Sequence, residues 1–536
     1  MPVDLDKLAK RPISRRQFIR YTATTAAAAW LASNGLHVRA QGGGRTMVWL
    51  GHQEVAGLGP NDIGPDVQAV MIFNILDPLV HVDHLANIVP VLAESFSAAE
   101  DGLSYTFNLH QGVRFHNGEE LTADDVKYTF DYYSQPGNVV AGRFLGMGSV
   151  EVVDRYTVIV HMDEVNAAFL AQAGLVPIVP AAYHAEVGGD DIFRTRPIGT
   201  GSFKLREWRP ADFTELEAFA DHFRGAPGVE VLRLEVVPEP SVRYIALQTG
   251  DAHSTVWPLL VEDSLSMEGD PRFRVLRTLG DSIKYFPMNL DRPVFDDVRT
   301  RRALMHATDR QRIIDDLWDG TASVATSHLS PKNGFYYTTD GVREYAYDPE
   351  RARSLLDEAG WAEGSDGVRA RDGLRLSFTC TTITGDQARR PIAELTQQFW
   401  RQVGVEMLLA EAPVATILEG MRNGDLEMSL FNWTHGGTPE PNPAGTLRSN
   451  GGDNYSRYNN PEMDRLIDAG VGVVDPDARR AIYHDIQRLY AEEVPAIYLQ
   501  YDEWINVFST DIDGLPDDVL NALPLYYFAR QLGMGG

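Results

Sequence analysis

Asp348-Pro349-Glu350-Arg351-Ala352-Arg353-Ser354-Leu355-Leu356-Asp357-Glu358-Ala359-Gly360-Trp361 spells a whole helix, from cap to stop. An Asp ahead of a Pro supplies an N-cap and a first helical position, where proline's missing N–H costs nothing. Ala352, Leu355, Leu356 and Ala359 recur at i, i+3, i+4 and i+7, one apolar stripe for a core to cover. Gly360 then stops the helix. The β-rich runs 374–381 and 405–410 follow, separated by a further helical stretch. Strands alternating with helices make this part of the chain an α/β layer structure.

The same pattern recurs on either side. Asn460-Pro461-Glu462 opens a helix running to Gly470, and Asp475-Pro476-Asp477 opens another with Ile482, Ile486, Leu489 and Tyr490 on one face. Upstream, Thr122-Ala123-Asp124-Asp125 starts a helix to about Ser134, while 103–109 reads as a strand and 150–153 with 157–161 as a hairpin around Asp154-Arg155. The fold class is α/β with mixed sheets. A chain of 536 residues exceeds what one core usually covers, so at least two lobes are expected.

The 75 acidic against 48 basic side chains leave a net charge of −27. That balance argues against nucleic acid or anionic lipid as partners. Cys380 is the only cysteine, which excludes an intrachain disulfide, a Cys-rich zinc site and a cysteine-held iron–sulfur cluster. The beginning of the chain reads as an address. Ser14-Arg15-Arg16-Gln17-Phe18-Ile19-Arg20 resembles the twin-arginine export consensus, an Ala/Thr-rich run follows, and Val38-Arg39-Ala40 before Gln41 suits a signal peptidase. The expectation is a signal peptide over 1–40, export in the folded state by the twin-arginine translocase, and a mature protein in the periplasm.

An ordered series of segments carries a family resemblance. Ile88-Val89-Pro90-Val91-Leu92-Ala93-Glu94-Ser95 is followed by Asp101-Gly102-Leu103-Ser104-Tyr105-Thr106-Phe107 and Gly112-Val113-Arg114-Phe115-His116-Asn117-Gly118. Pro197-Ile198-Gly199-Thr200-Gly201-Ser202-Phe203 and Phe295-Asp296-Asp297-Val298-Arg299-Thr300-Arg301-Arg302-Ala303-Leu304 come next, then the helix quoted first. Together they resemble family 5 of the extracellular solute-binding proteins, which serve oligopeptide, dipeptide and nickel ABC importers. The resemblance implies a two-lobe periplasmic-binding-protein fold of type II. Lobe I would span 41–285, with an extra subdomain over 90–196, lobe II 286–499, and 500–536 would return to lobe I. It implies a monomer that captures a small organic solute between its lobes for a permease and its ATPase. Peptide-like, opine-like and oligosaccharide ligands all remain open.

The resemblance also points to residues. Asn432-Trp433-Thr434-His435-Gly436 stands where relatives carry a Gly-Trp-x-x-Asp segment at the cleft. An indole there offers a rigid face and one donor, although buried tryptophans are also ordinary core residues. Trp257 and Tyr285 are candidates for the same cleft, with core packing the competing reading for each. Glu440 and Asn61 are polar groups expected at its edges, with a solvated loop role as the alternative. His81-x-Asp83-His84 is the one metal-like run and reads as a loop. No metal, cofactor or catalytic residue is expected, because no nucleophile elbow, His-Glu-x-x-His, Walker or dinucleotide motif occurs. Two competing classes remain, an exported enzyme and a sensory or chaperone subunit on the same fold.

Tight binding of simple dipeptides is not expected. The Asp that would hold the ligand's α-amino group is replaced by Gly436. The stretch where dipeptide binders place an Arg against the carboxylate reads Thr381-Thr382-Ile383-Thr384, with Arg389 and Arg390 starting the next helix. Glu440, from a shifted loop, could stand in for the Asp. The hydroxyl and amide groups of Thr434, Asn432 and Asn61 beside tryptophan suit a neutral, polyhydroxylated ligand, so sugar-like or opine-like compounds lead.

Overall fold

The computed structural model describes residues 45–534 apart from 64–65, 86, 175, 258, 387, 435–442, 520–522 and 528. The expected signal peptide, with Arg15 and Arg16, lies outside the described residues.

Two long strands organise the chain. Phe273–Pro287 and Ala496–Ser509 pair antiparallel from Phe273↔Ser509 to Pro287↔Ala496. They belong to a nine-stranded sheet. On one side it continues through Ser254–Thr255, Thr46–Gly51, Val231–Val236, Phe213–Ala218 and Phe203–Arg209, and on the other it ends at Phe431–Thr434. Thr46–Gly51 runs parallel to both of its neighbours, whereas the long strands pair antiparallel, so the sheet is mixed. Met47 and Trp49 enter one core and Val48 and Leu50 another, as expected of a central strand covered on both faces.

The long strands feed two separate cores. Leu276 and Phe508 join the core built around Trp49, Phe107, Phe130 and Phe203. Further along the same strands, Ile283, Phe286, Ile497 and Tyr501 join a core with Leu356, Trp361, Phe378 and Trp400. Each strand therefore ties both lobes together. Where they meet, the register shifts between Leu279 and Ile283. Gly280 lies in that shift, and a Cβ there would overlap the carbonyl oxygen of Asp502. The Lys284 ammonium pairs with the Asp502 carboxylate and lies 4.9 Å over the Trp318 ring.

The helix quoted at the outset forms over Pro349–Glu358. The Asp348 carboxylate accepts from the Arg351 N–H at 2.9 Å, Ala352, Leu355 and Leu356 are buried, and Gly360 takes φ +85°. A cap of this kind contributes about 1 kcal/mol. Trp361 then donates its indole N–H to Thr300 Oγ1 at 2.9 Å, tying the helix end to Val298–Ala307. The run 374–381, expected as one strand, is divided. Leu374–Arg375 joins a small antiparallel sheet, and Ser377–Ile383 lies parallel to Glu406–Ala412 and Met428–Ser429. Helices Arg389–Arg401 and Val414–Asn423 make the crossovers.

A separate antiparallel sheet orders Ala93–Ala98, Ser104–Leu109, Thr157–Met162 and Met147–Asp154, with helix Ala123–Tyr133 against it. After the second long strand the chain returns to the first core. The Asn74 amide donates to the Tyr526 carbonyl at 2.7 Å, and the Tyr526 hydroxyl donates to the Thr255 carbonyl at 2.8 Å.

The run His81-x-Asp83-His84, expected as a loop, is instead split between strand and turn. His81 lies in strand Val80–Val82 and is 2% exposed, while Asp83 closes a turn by accepting from the Leu85 and Asn87 N–H groups. Burial holds the His81 imidazole down at about 4 against an ordinary 6.5, with the Val82 backbone and Asp77 opposing. Burial lowers His116 to about 4 in the same way. A histidine depressed in the fold stays neutral there while the unfolded chain takes up a proton, so stability is lost as pH falls from the unfolded value towards the folded one. His81 alone should cost on the order of 3 kcal/mol between about pH 6.5 and 4. Urea midpoints measured across that window should fall steadily, and His81→Gln should flatten the slope; an unchanged slope would place the proton uptake elsewhere.

Candidate functional site

Two aromatic groups flank the long strands. The first stands at the carboxyl ends of parallel strands Thr46–Gly51 and Ser254–Thr255, which present His52 and Trp257. Crevices outside such strand ends are where open α/β sheets take ligands. The two rings lie 4.8 Å apart, and Trp504 meets Trp257 edge-on at 5.8 Å. Trp257 is 39% exposed, which takes it out of the core. His52 is held down at about 4 by burial and then by the Arg243 charge, so its ring is neutral near pH 7. Trp504 is three residues from Tyr501 on the second long strand, a run of about 10 Å.

The second group starts from strand Phe431–Thr434, which pairs Trp433 with Ile283 and Phe431 with Tyr285. Side chains alternate along a strand, so Ile283, Tyr285 and Trp433 share one face. A cavity open to solvent lies behind them. Its aromatic walls are Trp433, Tyr285, Tyr455, Tyr458 and Tyr490, and Asp453 is its carboxylate. Trp433 and Tyr455 stand nearly perpendicular with centroids 6.4 Å apart, and Phe431, two residues along the strand, meets Tyr455 at 5.9 Å. The Tyr455 hydroxyl donates to Asp453 Oδ1 at 2.9 Å. Burial and then this carboxylate push the Tyr455 phenol up to about 12. Tyr285 is 9% exposed; burial first, then Tyr455 and Asp453, raise its phenol far above the ordinary range, so it stays protonated.

The opposite face of the same strand pair is polar. Asn432 lies across from Lys284, and its Oδ1 accepts from the guanidinium of Arg389. Arg389 also pairs with Asp386, whose carboxyl is pushed up by burial but held lower overall by Arg389 and nearby backbone N–H groups. The sequence placed Arg389 at the start of a helix, and the helix does begin there. From its first turn, however, the side chain folds back towards strand Phe431–Thr434, so a guanidinium stands in a region read as lacking one.

The expected site residues divide into three sets. Trp433 and Tyr285 line one cavity, with Asn432 on the reverse face. Trp257 belongs to the other aromatic group. Asn61 joins neither: its amide donates to Asn138 Oδ1 at 2.7 Å and to Asp190, and its Oδ1 takes the Val140 N–H at 3.4 Å, binding its loop to the antiparallel subdomain. Thr434 is seen only as backbone opposite Ser282, and His435, Gly436 and Glu440 lie outside the described residues. His52, Tyr455, Tyr458, Asp453 and Arg389 were missed. The spacing in Asp453-Asn454-Tyr455-Ser456-Arg457-Tyr458 offered a signal, aromatics in an otherwise polar loop.

Residues 87–455 match the family described as bacterial extracellular solute-binding proteins, family 5 Middle. The chain is 29% identical over 457 residues to the Heme-binding protein A of Haemophilus influenzae, covering 80% of this chain and 81% of that one. It is also 29% identical over 445 residues to the Oligopeptide-binding protein AppA of Bacillus subtilis, covering 79% and 80%. The structure of AppA in complex with a nonapeptide superposes with a TM-score of 0.76 at 25% identity, covering 92% of this chain and 100% of that one.

Trp433 is half-buried at the cavity wall, so its removal tests the cavity directly. Trp433→Ala should weaken ligand binding by about 1–3 kcal/mol with the thermal transition retained. Calorimetry and thermal unfolding on the same preparation check this, and unchanged affinity would make Trp433 a packing residue.

Proposed function

The chain belongs to the bacterial extracellular solute-binding proteins of family 5, the binding components of ABC importers, and on that premise we propose that it grips a peptide-like or opine-like solute between its two aromatic groups. The observation that carries this reading is the cavity headed by Trp433, built on the strand that joins the lobes. A solute touching both groups would bridge the long strands and favour the closed arrangement of the lobes. Members of this family are binding proteins, and we take this chain to act without catalysis, as a monomer that hands its solute to a permease and ATPase. The relatives include a haem-binding and an oligopeptide-binding protein.

Arg389 narrows it. A guanidinium partly neutralised by Asp386 and resting on Asn432, with its Nε buried and unpaired among the described residues, suits a ligand carboxylate. This favours amino-acid-derived ligands over neutral oligosaccharides. It also restores one of the two anchors whose absence spoke against dipeptides; the other, at Gly436, is still missing from the sequence. A thermal-shift screen of peptides, opines and oligosaccharides should pick out a carboxylate-bearing class, since a ligand at a hundred times its Kd adds about 2.7 kcal/mol. Arg389→Gln should then cost that class at least about tenfold in affinity. Tight binding of an uncharged sugar, indifferent to Arg389, would overturn this assignment.

Export is proposed to follow the twin-arginine route, on the strength of Arg15 and Arg16 within Ser14–Arg20. Replacing both with Lys should leave full-length precursor in the cytoplasm on fractionation. Normal periplasmic accumulation of that variant would rule the route out.

A further inference from the structure

The composition of the Trp433 cavity carries a second conclusion about what enters it, one that rests on the reading above that this cavity holds the ligand. Five aromatic rings and one carboxylate line it, and no Lys or Arg does among the described residues. An aromatic face is electron-rich, so a box of such faces attracts a cation and gives little to an anion. Trp433 and Tyr455 meet edge to face at 70°, so they do not stack on each other, and both line the same cavity.

Asp453 supplies the formal charge. Its Oδ1 is taken by the Tyr455 hydroxyl at 2.9 Å and by Arg422 at 3.4 Å, while Oδ2 accepts no hydrogen bond from the described residues. Arg422 is half-exposed, and ion pairs of that kind are weak. Tyr285 adds an acceptor. It is 9% exposed, lines the cavity, and its hydroxyl makes no hydrogen bond to any described residue. With no protein partner, that hydroxyl is open to a hydrogen-bond donor entering the cavity. His328 also lines the cavity and packs on Tyr490 at 5.2 Å.

We infer that the Trp433 cavity receives the positively charged end of the ligand, an organic cation held by the faces of Trp433 and Tyr455 and by Asp453 Oδ2. With Arg389 on the reverse face of the same strand, the solute would be one that carries a carboxylate and a basic side group. An ammonium or guanidinium would donate to Asp453 and Tyr285 as well as meeting the rings. A methylated ammonium would use the rings and the charge alone.

The test titrates the full mature protein with agmatine, cadaverine and benzyltrimethylammonium, each beside an uncharged isostere, following indole fluorescence and heat. Each cation should bind at least about tenfold more tightly than its isostere, the scale of a desolvated cation–π contact. Asp453→Asn, which keeps the shape, should remove most of that preference while neutral isosteres bind as before. Tyr285→Phe should weaken agmatine and cadaverine but leave benzyltrimethylammonium unchanged. Isosteres that match or exceed their cations in a Trp433-dependent way would overturn the cationic assignment and leave the cavity as the ligand site. Cation binding that ignores both Trp433→Ala and Asp453→Asn, or no saturable cation binding by about 10 mM, would also overturn it. A solute from the thermal-shift screen whose affinity ignores Trp433→Ala would instead remove the cavity from the ligand site altogether, so the two failures are distinguishable.

Discussion

Everything else in this molecule hangs on the pairing of Phe273–Pro287 with Ala496–Ser509 at the point where that pairing falters. A continuous antiparallel ladder would lock the lobes into one rigid slab. The register shift between Leu279 and Ile283 interrupts it where the strands leave one core for the other. Gly280 is required by space, because the Asp502 carbonyl occupies the place of a Cβ. The Lys284–Asp502 pair then fixes the far side of the shift at little cost in freedom, since both side chains are already held by their strands. An interruption of this kind would let the lobes bend about a few backbone torsions while each core stays intact.

The same strand dictates the site by alternation alone. Once Ile283 and Tyr285 face one way, Lys284 must face the other, and the strand Phe431–Thr434 inherits that division through its pairing. Trp433 is thereby committed to the aromatic side and Asn432 to the polar side. A slip of one residue would exchange them and put the indole against Lys284. The chemistry of the cavity thus depends on register, and register depends on the apolar residues that Tyr285, Phe286 and Tyr501 bury in the second core.

Legibility in the sequence followed the range of the interaction. The caps at Asp348, Asn460 and Asp475 were readable because cap, stripe and stop lie within a few residues, and each side chain does accept from its own helix. Trp433 and Tyr285 were singled out, yet their shared cavity needed Tyr455, Tyr458 and Tyr490, brought from a loop and a helix far along the chain. Tyr490 had been read correctly as part of an apolar helix face; that face turned out to border a cavity. Arg389 was read from its place at a helix start, and what the reading lacked was the direction of a long side chain that folds back from the first turn. Asn61 failed for the opposite reason: a polar loop residue resembles a ligand contact until its partners, Asn138 and Asp190, are known to come from the subdomain beside it.

The overall charge and the local cavity agree in sign, and that agreement has a kinetic consequence. A chain of net charge −27 attracts small cations over a distance set by salt, about 8 Å at physiological ionic strength. Such a field raises the encounter rate without selecting among cations, because it carries no shape. Selection falls to the rings, whose attraction dies within a few ångströms and demands that the cation shed water before it gains anything. Arg389 opposes the field locally at the edge strand, on the side away from Trp433, so a ligand carrying both charges would have to reach round that edge to meet it and the cavity together. An acidic surface for capture and an aromatic box for discrimination therefore act at different ranges on the same solute, and the strand between them sets the distance its two charges must span.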